Sequence, residues 1–98
     1  MRAEEIREMS PDDIKARLNE QKGKLELAAR ELDVTQREYR LRAASFYADA
    51  GDRLRNSTAW DKEDADYKKK IADQQKAVDD DKKQIEELQE QLRKAGGK

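Results

Sequence analysis

Leu18, Leu25, Leu32, Tyr39 and Phe46 stand seven residues apart along the first half of the chain. An apolar side chain at every seventh position returns to one stripe of an α-helix after two turns, and that stripe needs another helix to cover it. The second half carries the same period. Ile71, Val78, Ile85 and Leu92 make one row, and Trp60, Tyr67, Leu88 and Ala95 make the adjoining row, which Gln74 and Asp81 interrupt. Two such stripes in one chain predict an all-α protein, an antiparallel two-helix coiled-coil hairpin.

Composition decides between that hairpin and a disordered tail. Charged residues make up 46% of the 98 residues and apolar ones 35%, which is lean for a packed core. Disorder of this kind usually carries a large net charge. Here 22 basic and 23 acidic residues nearly cancel, to −1. A dense, balanced mixture of both signs reads as long solvated helices, and the length allows one small domain.

Ser10-Pro11-Asp12-Asp13 is a strong helix start: a capping hydroxyl, a proline at the first helical position and two carboxylates at the positive end. Residues 1–9 before it are expected to form a short turn or frayed helix. The first helix is expected over about 11–55. Ala48-Asp49-Ala50-Gly51 could end it sooner, but Asn56-Ser57-Thr58 offers three side chains that compete for backbone hydrogen bonds, so the turn is placed at about 56–58. Thr58 and Asp61 have the spacing of a capping box. The second helix is then expected over about 59–95, with Gly96-Gly97-Lys98 as a stop and short disordered tail.

Folding back at Asn56-Ser57 sets Leu18 opposite Ala95, Leu25 opposite Leu88, Tyr39 opposite Gln74 and Phe46 opposite Tyr67. The expected seam is Leu18, Leu25, Leu32, Tyr39, Phe46, Trp60, Tyr67, Ile71, Val78, Ile85, Leu88 and Leu92. Gln21, Arg42, Gln74 and Asp81 fall within it, where polar groups cost stability but can fix register. Leu27, Val34, Leu41 and Ala48 repeat on nearly the opposite face of the first helix. A lone hairpin leaves that stripe in water, so a homo-oligomer is expected, a dimer of hairpins forming a four-helix bundle. One continuous helix in a long parallel dimer would instead set Asp81 against its own copy.

Chemistry has little to work with. The chain has no histidine and no cysteine, and its glycines form no phosphate-binding loop. Ser10, Ser45 and Ser57 have no base beside them. Asp79-Asp80-Asp81 point about 100° apart on a helix and do not converge on one ion. No catalytic residue, metal site or cofactor is expected, and the chain reads as a non-enzyme. No apolar run is long enough to span a membrane. Without a signal-peptide core the default compartment is the cytoplasm, or an exported one if such a segment has been removed.

Every aromatic residue (Tyr39, Phe46, Tyr47, Trp60 and Tyr67) lies near the expected turn, together with Arg53 and Arg55. Aromatic rings beside arginines suit a protein hot spot or single-stranded nucleic acid. Tyr47, Arg53, Leu54 and Arg55, which the seam does not absorb, form a candidate partner-binding tip.

Two resemblances accompany this reading. The opening MRAEEIREMSPDDIKARL resembles the start of the small helical-hairpin protein of the large ribosomal subunit, which implies two antiparallel helices on RNA. The likeness covers about eighteen residues; that family's arginine-rich second helix has no counterpart, and Asp79-Asp80-Asp81 occupies the region. A net charge of −1 also argues against phosphate binding. The stretch LELAARELDVTQREYRLRAASFYADAG is similar to uncharacterised bacterial coiled-coil proteins with QREL or QREY heptads before an aromatic-rich turn. The expected function is a structural or protein-interaction coiled-coil module that self-associates through its first helix. The alternative is an RNA- or ribosome-associated hairpin binding through its arginine and aromatic tip.

Overall fold

A computed structural model describes residues 9–96. The described residues are all-α: α1 spans Pro11–Ala48, α2 Ala50–Arg55 and α3 Ser57–Lys94, with no strand among them. Most of the turn expected over residues 1–9, and Gly97 and Lys98 of the expected tail, lie outside the described residues. The chain divides into two compact units. The central unit is Ala28–Ala77, and the terminal unit combines the residues up to Leu27 with those from Val78 onward.

α1 begins where its sequence directs. The Asp13 amide donates to Ser10 Oγ at 3.1 Å, and the Ser10 amide donates back to the Asp13 carboxylate at 3.4 Å. This is a capping box with aspartate in the place of glutamate. The box expected at Thr58 gives way to a different start: α3 opens at Ser57, with the Trp60 amide donating to the Asn56 carbonyl at 2.9 Å. Thr58 is therefore inside the helix. α3 ends at Lys94, and Gly96 follows with φ of +82°, the left-handed conformation that closes many helices and that glycine adopts without a Cβ clash.

The turn corrects the sequence reading. α1 stops at Ala48, not near residue 55, because Asp49 turns extended (φ −103°, ψ 107°) and caps a new helix. Its carboxylate accepts the amides of Gly51 and Asp52 at 2.9 and 3.2 Å. α2 closes on Asn56, whose amide donates to the Asp52 carbonyl at 2.7 Å and whose side chain donates to the Asp52 carboxylate at 2.8 Å. A Cβ on Gly51 would come within 2.7 Å of Arg55 Nη2, so the missing side chain lets that guanidinium fold over the turn.

Within the central unit, where α1 ends earlier than expected, the ring pairs are shifted by one heptad. In the central unit the Phe46 ring stacks on Trp60, with centroids 5.1 Å apart, where Tyr67 was expected. Tyr39 meets Tyr67 at 5.6 Å, where Gln74 was expected. A seam of period seven looks the same after a seven-residue shift, so the repeat cannot choose between the two registers. In the terminal unit Gln21 bonds to Asp81, and Ala95, expected opposite Leu18, is exposed beyond the end of α3. Ile14 is buried there; in the expected register it would have faced past the last residue.

The buried residues lie on α1 and α3. Leu32, Thr35, Phe46 and Trp60 are buried in the central unit, and Ile14, Leu18, Gln21, Val78 and Ile85 in the terminal one. Leu25, Tyr39, Tyr67, Ile71, Leu88 and Leu92 are half-buried. The Thr35 hydroxyl is satisfied by donating to the Glu31 carbonyl at 3.0 Å. Ile14 and Gln21 belong to the row that continues as Ala28 and Thr35, and Ile14, one heptad before Gln21, could have been read from that spacing.

Candidate interaction surface

Trp60 organises the central unit. It is 3% exposed, and three other rings touch it: Phe46 and Tyr39 stacked at 5.1 and 6.4 Å, and Tyr47 edge-on at 6.2 Å. The Arg42 guanidinium lies 5.9 Å from the Trp60 ring centroid and forks onto the Glu63 carboxylate through bonds of 2.7 and 2.8 Å. Seam arginine and seam tryptophan are thus reconciled: the guanidinium lies over the ring and its charge is met by the Glu63 carboxylate. Below this, the Tyr39 hydroxyl donates to Asp64 at 2.5 Å, and Lys68 holds the same carboxylate at 2.9 Å.

These partners shift the titrations in opposite senses. Arg42 holds the Glu63 carboxyl below its ordinary range. Lys68, then the Tyr39 hydroxyl, do the same for Asp64. The bond to Asp64, followed by burial, pushes the Tyr39 phenol up. A lowered carboxyl favours folding above its unfolded value, about pH 4, and that contribution disappears as acid protonates the folded form. A raised phenol favours folding below about pH 10 and loses that contribution as pH rises through its shifted value. Stability is therefore expected to be flat through neutrality and to fall at both ends. Urea midpoints for wild type and a Glu63→Gln/Asp64→Asn variant, taken at pH 3 to 7, should converge towards low pH. Parallel curves would mean that these pairs contribute nothing.

Of the five aromatic rings only Tyr47 is exposed; Tyr39 and Phe46 stack on Trp60, and Tyr67 meets Tyr39 at a tilt. The candidate tip is accordingly divided. Tyr47 leans on Phe46 and Trp60, and its backbone carbonyl accepts a hydrogen bond from Arg53. Arg55 folds over Gly51, while Leu54 stands 85% exposed. Arginines that the sequence offers to a ligand are thus drawn onto the turn itself, and nucleic-acid stacking has one accessible ring.

α1 carries exposed aliphatic side chains in each unit. Val34 and Leu41 in the central unit are 48% and 73% exposed, and Leu27, the last residue of the first terminal segment, is 57% exposed. Ala48 is exposed at the end of the helix. Gly23, one turn before Leu27, has open space where a Cβ would stand. The described residues also form open grooves. One of about 570 Å³ in the central unit is floored by Tyr39, Ile71 and Ala72 between Arg40 and Lys68.

Among the described residues, no group of three or more acidic side chains is placed to hold a metal ion. None of their helices is long and apolar enough to cross a membrane. Compared with known proteins, the chain matches no family model, no curated protein and no solved structure.

Proposed function

We propose that this chain is a non-enzymatic structural module, an antiparallel helical hairpin that associates with a second copy through α1 to make a four-helix bundle. The observation that carries the proposal is the row Leu27, Val34, Leu41 and Ala48, which stays in water while the opposite stripe of the same helix is covered. Scattered single aliphatics are ordinary on a protein surface. A row with heptad spacing along one helix is not scattered, and its narrow shape fits another helix. Pairings between α1 and α3 inside each unit, Tyr39 with Asp64 in one and Gln21 with Asp81 in the other, support the hairpin.

Sedimentation equilibrium tests the reading directly. Wild type should show a concentration-dependent mass of two chains, and Leu27→Gln/Val34→Gln/Leu41→Gln should sediment as a monomer with unchanged helical circular dichroism. A wild-type protein that stays a single chain at millimolar concentration would remove the proposal.

A further inference from the structure

The stripe is edged by opposite charges on its two sides. Arg30 and Arg37 are the i−4 and i+3 neighbours of Val34, so they share one flank. Glu31 and Glu38 are its i−3 and i+4 neighbours, and share the other. All four are exposed, all belong to the central unit, and Leu41 lies between Arg37 and Glu38 in the same sense. Arg37 also pairs with Asp33 at 3.1 Å along its own helix, an exposed contact that a partner's carboxylate can share or replace.

Two helices that meet along such a stripe bring their flanks together in a way fixed by direction. Parallel copies are related by a rotation about an axis along the helices, which sets the basic flank of each against the acidic flank of the other. Antiparallel copies are related by a rotation about an axis across them, which sets arginine against arginine and glutamate against glutamate. Like-charge juxtaposition disfavours an alignment, and complementary flanking charges choose partner and direction in helix pairs.

We infer that the second copy docks with its α1 parallel and in register, so that Arg30 and Arg37 of each chain face Glu31 and Glu38 of the other across Val34 and Leu41. The inference rests on the self-association proposed above and fixes its direction. It also places the two α2 connectors at the same end of the pair.

The chain has no cysteine, so one introduced thiol gives a clean probe. A spin label on Ser45→Cys, at an exposed position beside the stripe, should report copy-to-copy distances below about 20 Å in the parallel pair. An antiparallel pair centred on Val34 would separate the labels by roughly 30 Å along the axis, at ~1.5 Å rise per residue. A second measurement uses Arg30→Glu/Glu31→Arg/Arg37→Glu/Glu38→Arg, which exchanges the flanks. Mixed with wild type, it should form only like-with-like pairs, because a mixed parallel pair sets like charges together. A long label distance, or free mixing of the two proteins, overturns the parallel arrangement while leaving self-association intact. A monomer at all concentrations overturns both.

Discussion

Trp60→Ala is expected to destabilise the protein by about 3–5 kcal/mol, the range for emptying a buried aromatic site. A chain of this size has on the order of 5–15 kcal/mol to lose, so the variant should be marginal at room temperature. The reason is geometric. Phe46, Tyr39 and Tyr47 all rest on the one indole, and Arg42 lies along it on the way to Glu63. Removing it leaves three rings and a guanidinium without their common surface. Urea unfolding followed by circular dichroism at 222 nm measures the loss, since the variant has no tryptophan to fluoresce. Leu54→Ala is the matched control: at 85% exposure it should stay within about 0.5 kcal/mol of wild type. If Trp60→Ala unfolds at the wild-type midpoint, the cluster does not hold the central unit together.

Asp81→Ala should cost about 1–3 kcal/mol, the price of leaving a buried amide without its acceptor. Gln21 is buried, and its amide donates to the Asp81 carboxylate at 2.9 Å. The joint change Gln21→Leu/Asp81→Leu should restore stability to wild type or exceed it, because both polar groups leave together. It should also loosen the register. With the polar match gone, the seam offers the same period-seven surface in either alignment, and one heptad displaces a helix by about 10 Å. Spin labels at Lys22 and Glu86, both exposed in the terminal unit, should change from one distance to two. An Asp81→Ala protein as stable as wild type would mean that Gln21 is already solvated.

The seven-residue spacing of Leu18 through Phe46 and of Ile71 through Leu92 carried both long helices. It could not carry the register, since a periodic pattern is indifferent to shifts by its own period. The turn breaks that tie. Ala48-Asp49-Ala50-Gly51 and Asn56-Ser57-Thr58 both contain capping side chains, and side-chain count alone favours the second. What decides for the first is that Asp49 can cap two amides at once, while Asn56 serves the end of one helix and the start of the next. The exposed row on α1 was readable because it shares the seam's period on another face. The tip was not, because the folding of Arg53 and Arg55 back over the connector depends on backbone positions that no spacing reveals. Gln74 was suspect as a polar seam residue, and its Oε1 is buried with no hydrogen-bond partner among the described residues.

The separation in sequence between touching side chains bears on how the molecule assembles itself. Arg42 reaches Glu63 across 21 positions and Tyr39 reaches Asp64 across 25, whereas Gln21 and Asp81 are 60 apart. Closing a short loop loses less chain entropy than closing a long one, and local contacts form sooner. The contacts of the aromatic cluster are thus expected to form before the bond between Gln21 and Asp81. Amide exchange should be slowest around Phe46 and Trp60 and progressively faster towards Ile14 and Leu92.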